Sequence, residues 1–144
     1  DKITDTRNLG SISRVAEAVK VDAIVIPKKG AALITSDAIK TSAGALNYVP
    51  VCKVESLNYV CKLLKKSGLK IISCTEKGEE LVYNLDYSCP IAVIFGSEKN
   101  GISQSLLELS DHKIKIPMYG KIDSLNVSNS TSVILYEIIR QRLF

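Results

Sequence analysis

The sequence predicts an α/β fold, with a mainly parallel sheet flanked by helices, and two observations carry that reading. Short runs rich in branched apolar residues (DAIVIP, VPVCKV, LKIISC, IAVIF, KIKIP) alternate with stretches whose apolar residues recur every three or four positions. Such alternation is the sequence form of parallel strands joined by crossover helices. The chain's 144 residues are 46% apolar, which is enough to bury one sizeable core. With no repeat and no linker, residues 1–144 read as a single domain.

The elements follow in order. From Asn8 onward, Leu9, Ile12, Val15, Ala16 and Val19 mark a helix, and DAIVIP a buried strand ending at Pro27. A short helix over 36–41 precedes the strand VPVCKV. Residues 56–67 place Leu57, Val60, Cys61 and Leu64 on one helical face, with Ser56 as N-cap and Gly68 as the stop. LKIISC follows as a strand, then IAVIF, a short helix near 103–109, and KIKIP. The last helix has Ile134, Leu135, Ile138 and Ile139 as its buried stripe, and residues 75–90 carry no clear signal.

Composition narrows the function classes. A formal charge of +4 suits an anionic partner such as RNA, though many proteins share it. Cys52, Cys61, Cys74 and Cys89 are spaced 9, 13 and 15 residues apart without a CxxC pair, so no metal site or disulfide framework is expected and the thiols read as small core residues. No apolar run is long enough for a membrane helix and nothing resembles a signal peptide, which makes a cytoplasmic location the expectation. His112, the sole histidine, reads as a surface residue before a strand, not as part of a triad. Walker and GxGxxG motifs are absent, and Glu79 and Glu80 read as solvent-facing.

In an open parallel sheet, ligands bind beyond the carboxyl ends of the strands. Three loops lie there: TEKG after Cys74, GSEKNG after Phe95, and MYGKIDSLNVSNS after Pro117. The third is about twice the usual length of a strand-to-helix connection, which points to a site.

Three stretches, TDTRNLGSISRVAEA, IAVIFGSEKNGIS and IPMYGKIDSLNVSNS, resemble in order and spacing the motifs of the SpoU (TrmH) family of RNA ribose 2'-O-methyltransferases, within the SPOUT superfamily. The resemblance runs over residues 5–142 and includes KTSAGALNYVPV. It implies a SPOUT-type α/β knot, a deep C-terminal trefoil through which the chain after IKIP is threaded. Small residues such as Gly120, Ser124, Ser128 and Ser130 suit that close passage of backbone.

The resemblance also implies S-adenosylmethionine as cofactor, held largely by main chain at Gly96, Ile116 and Leu125, with Asn126 beside it and Thr75 and Glu76 as one wall. Asn8, Arg14, Glu98, Ser124 and Asn126 take the catalytic positions. Taken singly, each has an ordinary reading: a turn glycine, core residues, a solvated helix face, a surface carboxylate and turn formers. A guanidinium stays protonated, so Arg14 suits a hydrogen-bond donor to the forming alkoxide and nearby phosphate better than a base. Six residues separate Asn8 from Arg14, about 120° on a helix, so Asn8 is expected at the cap, turned into the site. Glu98 is expected to pair with Asn8 or Arg14. The charges of IIRQR read as a solvated helix end.

The expected activity is 2'-O-methylation of a ribose in structured RNA, first a guanosine of 23S ribosomal RNA, with transfer RNA as the alternative. A homodimer, implied by the resemblance, would complete each site with the neighbour's residues. By the same comparison the first strand looks truncated and an accessory RNA-binding domain is missing from this chain. A non-catalytic knotted RNA-binding or ribosome-assembly module is the rival reading, and a small-molecule methyltransferase a third.

Overall fold

The structure is a computed structural model that describes residues 1–143. Helix α1 (Thr6–Ala18) leads into β1 (Ile24–Pro27), α2 (Ser36–Thr41), a single 3-10 turn (Ala45–Asn47) and β2 (Val51–Val54). Then come α3 (Leu57–Lys66), β3 (Lys70–Cys74), β4 (Glu80–Leu81), β5 (Ile91–Phe95), α4 (Gln104–Leu109), β6 (His112–Lys115) and α5 (Val127–Leu143). All strand pairing is parallel: β1 with β2, and a four-stranded sheet in the order β4-β6-β3-β5. Residues 1–3 join the end of β5 to the loop after β1: the Asp1 nitrogen donates to the Phe95 carbonyl at 2.8 Å and the Ala32 N–H to the Ile3 carbonyl at 2.8 Å.

Side chains of β3 alternate, as the two-residue period of a strand demands. Ile72 packs with Val82, Leu85, Tyr87, Ile114, Ile134 and Ile138 against α5, while Ile71 packs with Cys61, Ile102 and Leu106 under α3 and α4. Both faces of the sheet are therefore covered, which is why its strands read as continuous apolar runs. Each fully buried isoleucine contributes roughly 1.5–3 kcal/mol.

Helix starts follow local chemistry. Ser56 caps α3 by accepting from the Tyr59 N–H, and Gly68, at φ 89°, takes the left-handed conformation that ends it. Asp5, not Asn8, caps α1: its carboxylate accepts from the Arg7 and Asn8 N–H groups, leaving Asn8 inside the first turn.

Several expectations change. Residues 75–90 hold β4 and the buried Tyr87, whose hydroxyl donates to the Val82 carbonyl at 2.8 Å, closing a compact turn that apolar periodicity does not register. On α5, Ile134 and Ile138 are buried as expected, Leu135 and Ile139 only half-buried, and Thr131 and Glu137 complete the stripe. Glu137 tolerates burial because Arg140 and Gln141 donate to it. The IIRQR end is not merely solvated: Arg142 donates to the Tyr87 and Cys89 carbonyls and Gln141 to the Leu85 carbonyl. His112 begins β6 and contacts Glu80 at 2.8 Å. Cys52 is exposed on β2 of the two-stranded sheet, unlike buried Cys61, and all four thiols are free. Among the described residues, no helix is long and apolar enough to cross a membrane.

Candidate active site

Strands β3, β5 and β6 end side by side, in register Cys74↔Phe95 and Cys74↔Ile114, so their exit loops share one edge of the sheet. These loops enclose a cleft of about 340 Å³. Thr75, Glu76, Gly96, Glu98, Ile116, Ser124 and Leu125 line it, which gathers seven of the sequence-predicted residues in one place. Phe95, Ile102, Met118 and Asp123 also line it and were not anticipated, although the third loop carries the last two and the first two flank the second loop on either side.

Two glycines explain how the loops come so close. A Cβ on Gly96 would lie 2.2 Å from the Gly101 carbonyl carbon, so Gly96 permits the Ser97–Gly101 bridge that folds GSEKNG back on itself. The close approach at Gly96 is thus to its own loop. A Cβ on Gly78 would lie 2.4 Å from the Ile114 carbonyl carbon, which lets the loop after β3 run against β6. Thr75 and Glu79 N–H groups donate to Ile114 and Lys113 carbonyls along that track.

At the cleft's edge stands a three-residue polar cluster. The Asn126 side-chain amide donates to Asn8 Oδ1 at 3.1 Å and to Glu98 Oε1, and Asn8 Nδ2 reaches Glu98 Oε1 at 3.4 Å. Asn126 Oδ1 meanwhile accepts from the Ser128 N–H at 2.9 Å and hydroxyl at 2.7 Å, tying the cluster to the start of α5. Glu98 thus pairs with Asn8, one of its two expected partners. Arg14 stands apart: it is exposed on α1 and lines a different recess, with Glu17, Ser42 and Tyr48, and no hydrogen bond or ion pair forms to its side chain among the described residues.

Cys74 lies in the cleft wall, where burial pushes its thiol up to about 12. It stays protonated at neutral pH and is no nucleophile.

A cleft beyond the carboxyl ends of parallel strands, with polar groups gathered at its edge, defines an α/β domain that seats a small ligand at its exit loops. The chain belongs to the SpoU rRNA Methylase family, whose profile matches residues 1–136. It is 37% identical over 142 residues, or 99% of this chain and 57% of the relative, to YacO of Bacillus subtilis, assigned by its name to the TrmH family of tRNA/rRNA methyltransferases. It is 40% identical over all 144 residues to an uncharacterized tRNA/rRNA methyltransferase of Synechocystis, covering 38% of that protein. The chain therefore spans about half the length of the curated relatives it matches. Among solved structures, the SpoU methyltransferase AviRb from Streptomyces viridochromogenes in complex with AdoMet superposes with a TM-score of 0.91 at 30% identity, covering 99% of this chain and 56% of that one. The A. aeolicus TrmH/SpoU tRNA modifying enzyme superposes at 0.87 with 32% identity, covering 97% and 71%.

Proposed function

We propose that this chain is the catalytic domain of a cytoplasmic RNA ribose 2'-O-methyltransferase that draws its methyl group from S-adenosylmethionine. One observation carries the reading: the three-loop cleft opens beside the Asn8–Glu98–Asn126 cluster, so a bound small molecule and the groups able to orient an acceptor hydroxyl adjoin. The cleft's volume falls within the range of small-ligand sites, with apolar contact from Phe95, Ile102, Ile116 and Leu125 and carboxylates from Glu76 and Asp123. Main-chain groups near Gly96, Ile116 and Leu125 would hold the cofactor, with Thr75 and Glu76 as a wall. When bound, S-adenosylmethionine supplies a methyl carbon on a sulfonium, open to in-line displacement. The protonated Cys74 does not compete for it.

The chain's own residues do the orienting. Glu98 accepts from both asparagine amides and fixes their rotamers, and Ser124 adds a hydroxyl on the cleft wall. Arg14, with its fork of donors, stabilises the oxygen as negative charge develops on it. Since Arg14 lies outside the cluster within one chain, the reading includes a homodimer in which each Arg14 serves the neighbour's cleft. Threading of the segment after β6 into a trefoil belongs to the same reading and is supported by the interior position of β6. Ribosomal RNA, first a 23S guanosine, is the proposed substrate, with transfer RNA second. The rRNA wording of the family supports the first, and the tRNA-modifying structural neighbour the second.

Calorimetric titration of S-adenosylmethionine, then transfer of tritiated methyl groups to total RNA with mapping of the labelled ribose, tests this. Binding with label in a ribose 2'-oxygen is expected. Binding without transfer to any RNA would favour the non-catalytic module, and label in a small molecule would overturn the substrate class.

A further inference from the structure

The four arginines of the chain divide sharply. Arg140 is paired with Glu137, and Arg142 donates to the Tyr87 and Cys89 carbonyls, so both serve the fold. Arg7 and Arg14 are exposed, and among the described residues neither guanidinium has a hydrogen-bond or ion-pair partner. They are seven residues apart on α1, hence on one stripe about 10.5 Å long, opposite the buried Leu9, Ile12 and Ala16.

At the Arg14 end of that stripe, the recess lined by Glu17, Ser42 and Tyr48 is held by a rigid turn. Ala43 and Gly44 are both left-handed, at φ 50° and 86°, a conformation costly for alanine. Buried Ser42 secures it by donating to the Ile39 carbonyl at 2.8 Å and accepting from the Leu46 N–H. Helix α2, which leads into the turn, is packed tightly on α1, since a Cβ on Gly10 would lie 2.6 Å from the Ala38 carbonyl oxygen and 3.2 Å from the Ser42 nitrogen. On this fixed base Tyr48 is 78% exposed, although its neighbour Val49 is buried.

We infer that the α1 arginine stripe and Tyr48 form the seat of a single-stranded RNA segment, with phosphates on Arg7 and Arg14 and one base stacked on the Tyr48 ring. This rests on the proposed RNA methyl transfer and adds where the strand lies. Unpaired guanidinium forks match phosphate oxygens, and an exposed ring on an immobile turn is a stacking platform that costs little ordering entropy. In the recess that Arg14 shares with Tyr48, Glu17 offers an acceptor to a base edge or ribose hydroxyl, while the guanidiniums take the phosphates. Tyr48 and Arg7 are positioning residues, since they hold the strand and leave the methyl step to the cleft.

The test uses this chain and an eight-nucleotide oligouridylate at low salt. With Tyr48→Trp, tryptophan fluorescence is expected to quench saturably on binding, and Arg7→Ala should reduce the salt slope of affinity by about 0.7, the loss of one single-strand phosphate contact. In methyl transfer, Tyr48→Ala should raise KM for RNA roughly tenfold with kcat and S-adenosylmethionine affinity little changed, whereas Tyr48→Phe retains the wild-type KM. No quenching at position 48, or a wild-type KM in Tyr48→Ala, would overturn the seat while leaving methyl transfer standing. Quenching by a chain that methylates no RNA would uphold the seat and sink the transfer reading.

Discussion

The side chains of Asn8 and Asn126 are joined by a 3.1 Å hydrogen bond across 118 residues of chain. One belongs to the first turn of α1, and the other precedes α5, which packs against α1. Glu98 accepts from both, so three distant segments converge on a single carboxylate.

Asn126→Asp separates the two tasks of that residue. An aspartate still accepts from the Ser128 N–H, so the start of α5 survives, but it loses the donor and sets a second carboxylate against Glu98. Methyl transfer is expected to fall at least tenfold with the melting temperature nearly unchanged. Asn126→Ala should in addition lose about 1 kcal/mol of stability by denaturant titration.

Arg14→Ala should abolish transfer while leaving stability and cofactor affinity within a few-fold of wild type, because the guanidinium touches neither core nor cleft. Arg14→Lys should also be poor, since a point charge cannot reproduce the fork. Mixing Arg14→Ala with Asn126→Asp chains should restore part of the activity if each site draws Arg14 from the neighbour. Sedimentation of the mixture as monomers, with no recovery, would contradict the dimer.

Gly96→Ala must push the GSEKNG turn open, since the added carbon meets backbone within 2.4 Å at three atoms. Overpacking of that kind costs roughly 1–3 kcal/mol, and the displaced loop is a cleft wall. Calorimetry should show a loss of S-adenosylmethionine affinity that exceeds the loss in Arg14→Ala.

Acid should destabilise the fold through two carboxylates. Burial raises the Asp111 carboxyl, but donation from the Ile71 N–H and the Lys65 ammonium outweighs it and holds the group below the usual aspartate range. Arg140 and, to a lesser degree, Gln141 do the same for Glu137 against its burial. With folded values below the unfolded ones, their stabilisation is complete above about pH 5 and is lost as pH falls through the lowered values. Thermal melts should be flat from neutral pH to about 5 and then drop, less steeply in Asp111→Asn.

Strands and crossover helices were legible because they are apolar runs and apolar periodicities, and the three exit loops because they interrupt them. Seven predicted residues line one cleft since loop position relative to strand ends is a one-dimensional property. What periodicity could not express is pairing between distant polar groups. Asp5 displaced Asn8 as cap because either residue type serves, and only the geometry of the chain entry decides. Tyr87 and Arg142 meet through residues 82–90, a turn held by hydrogen bonds to carbonyls, which leave no mark on side-chain pattern. Arg14 was grouped with Asn8 by the family motif, yet its place on α1 faces a separate recess.

The double duty of Asn126 bears on how the molecule matures during synthesis. Ribosomes release the N-terminal part first, so Asn8 and Glu98 are present before Asn126 emerges, and at roughly 5–20 residues per second the wait lasts seconds. Until α5 docks, a nascent chain has the cleft's first two loops but no partner to lock the two earlier side chains. The polar cluster is therefore complete only once α5 has docked, and on the proposed reading a copy that has not yet folded that far leaves RNA untouched.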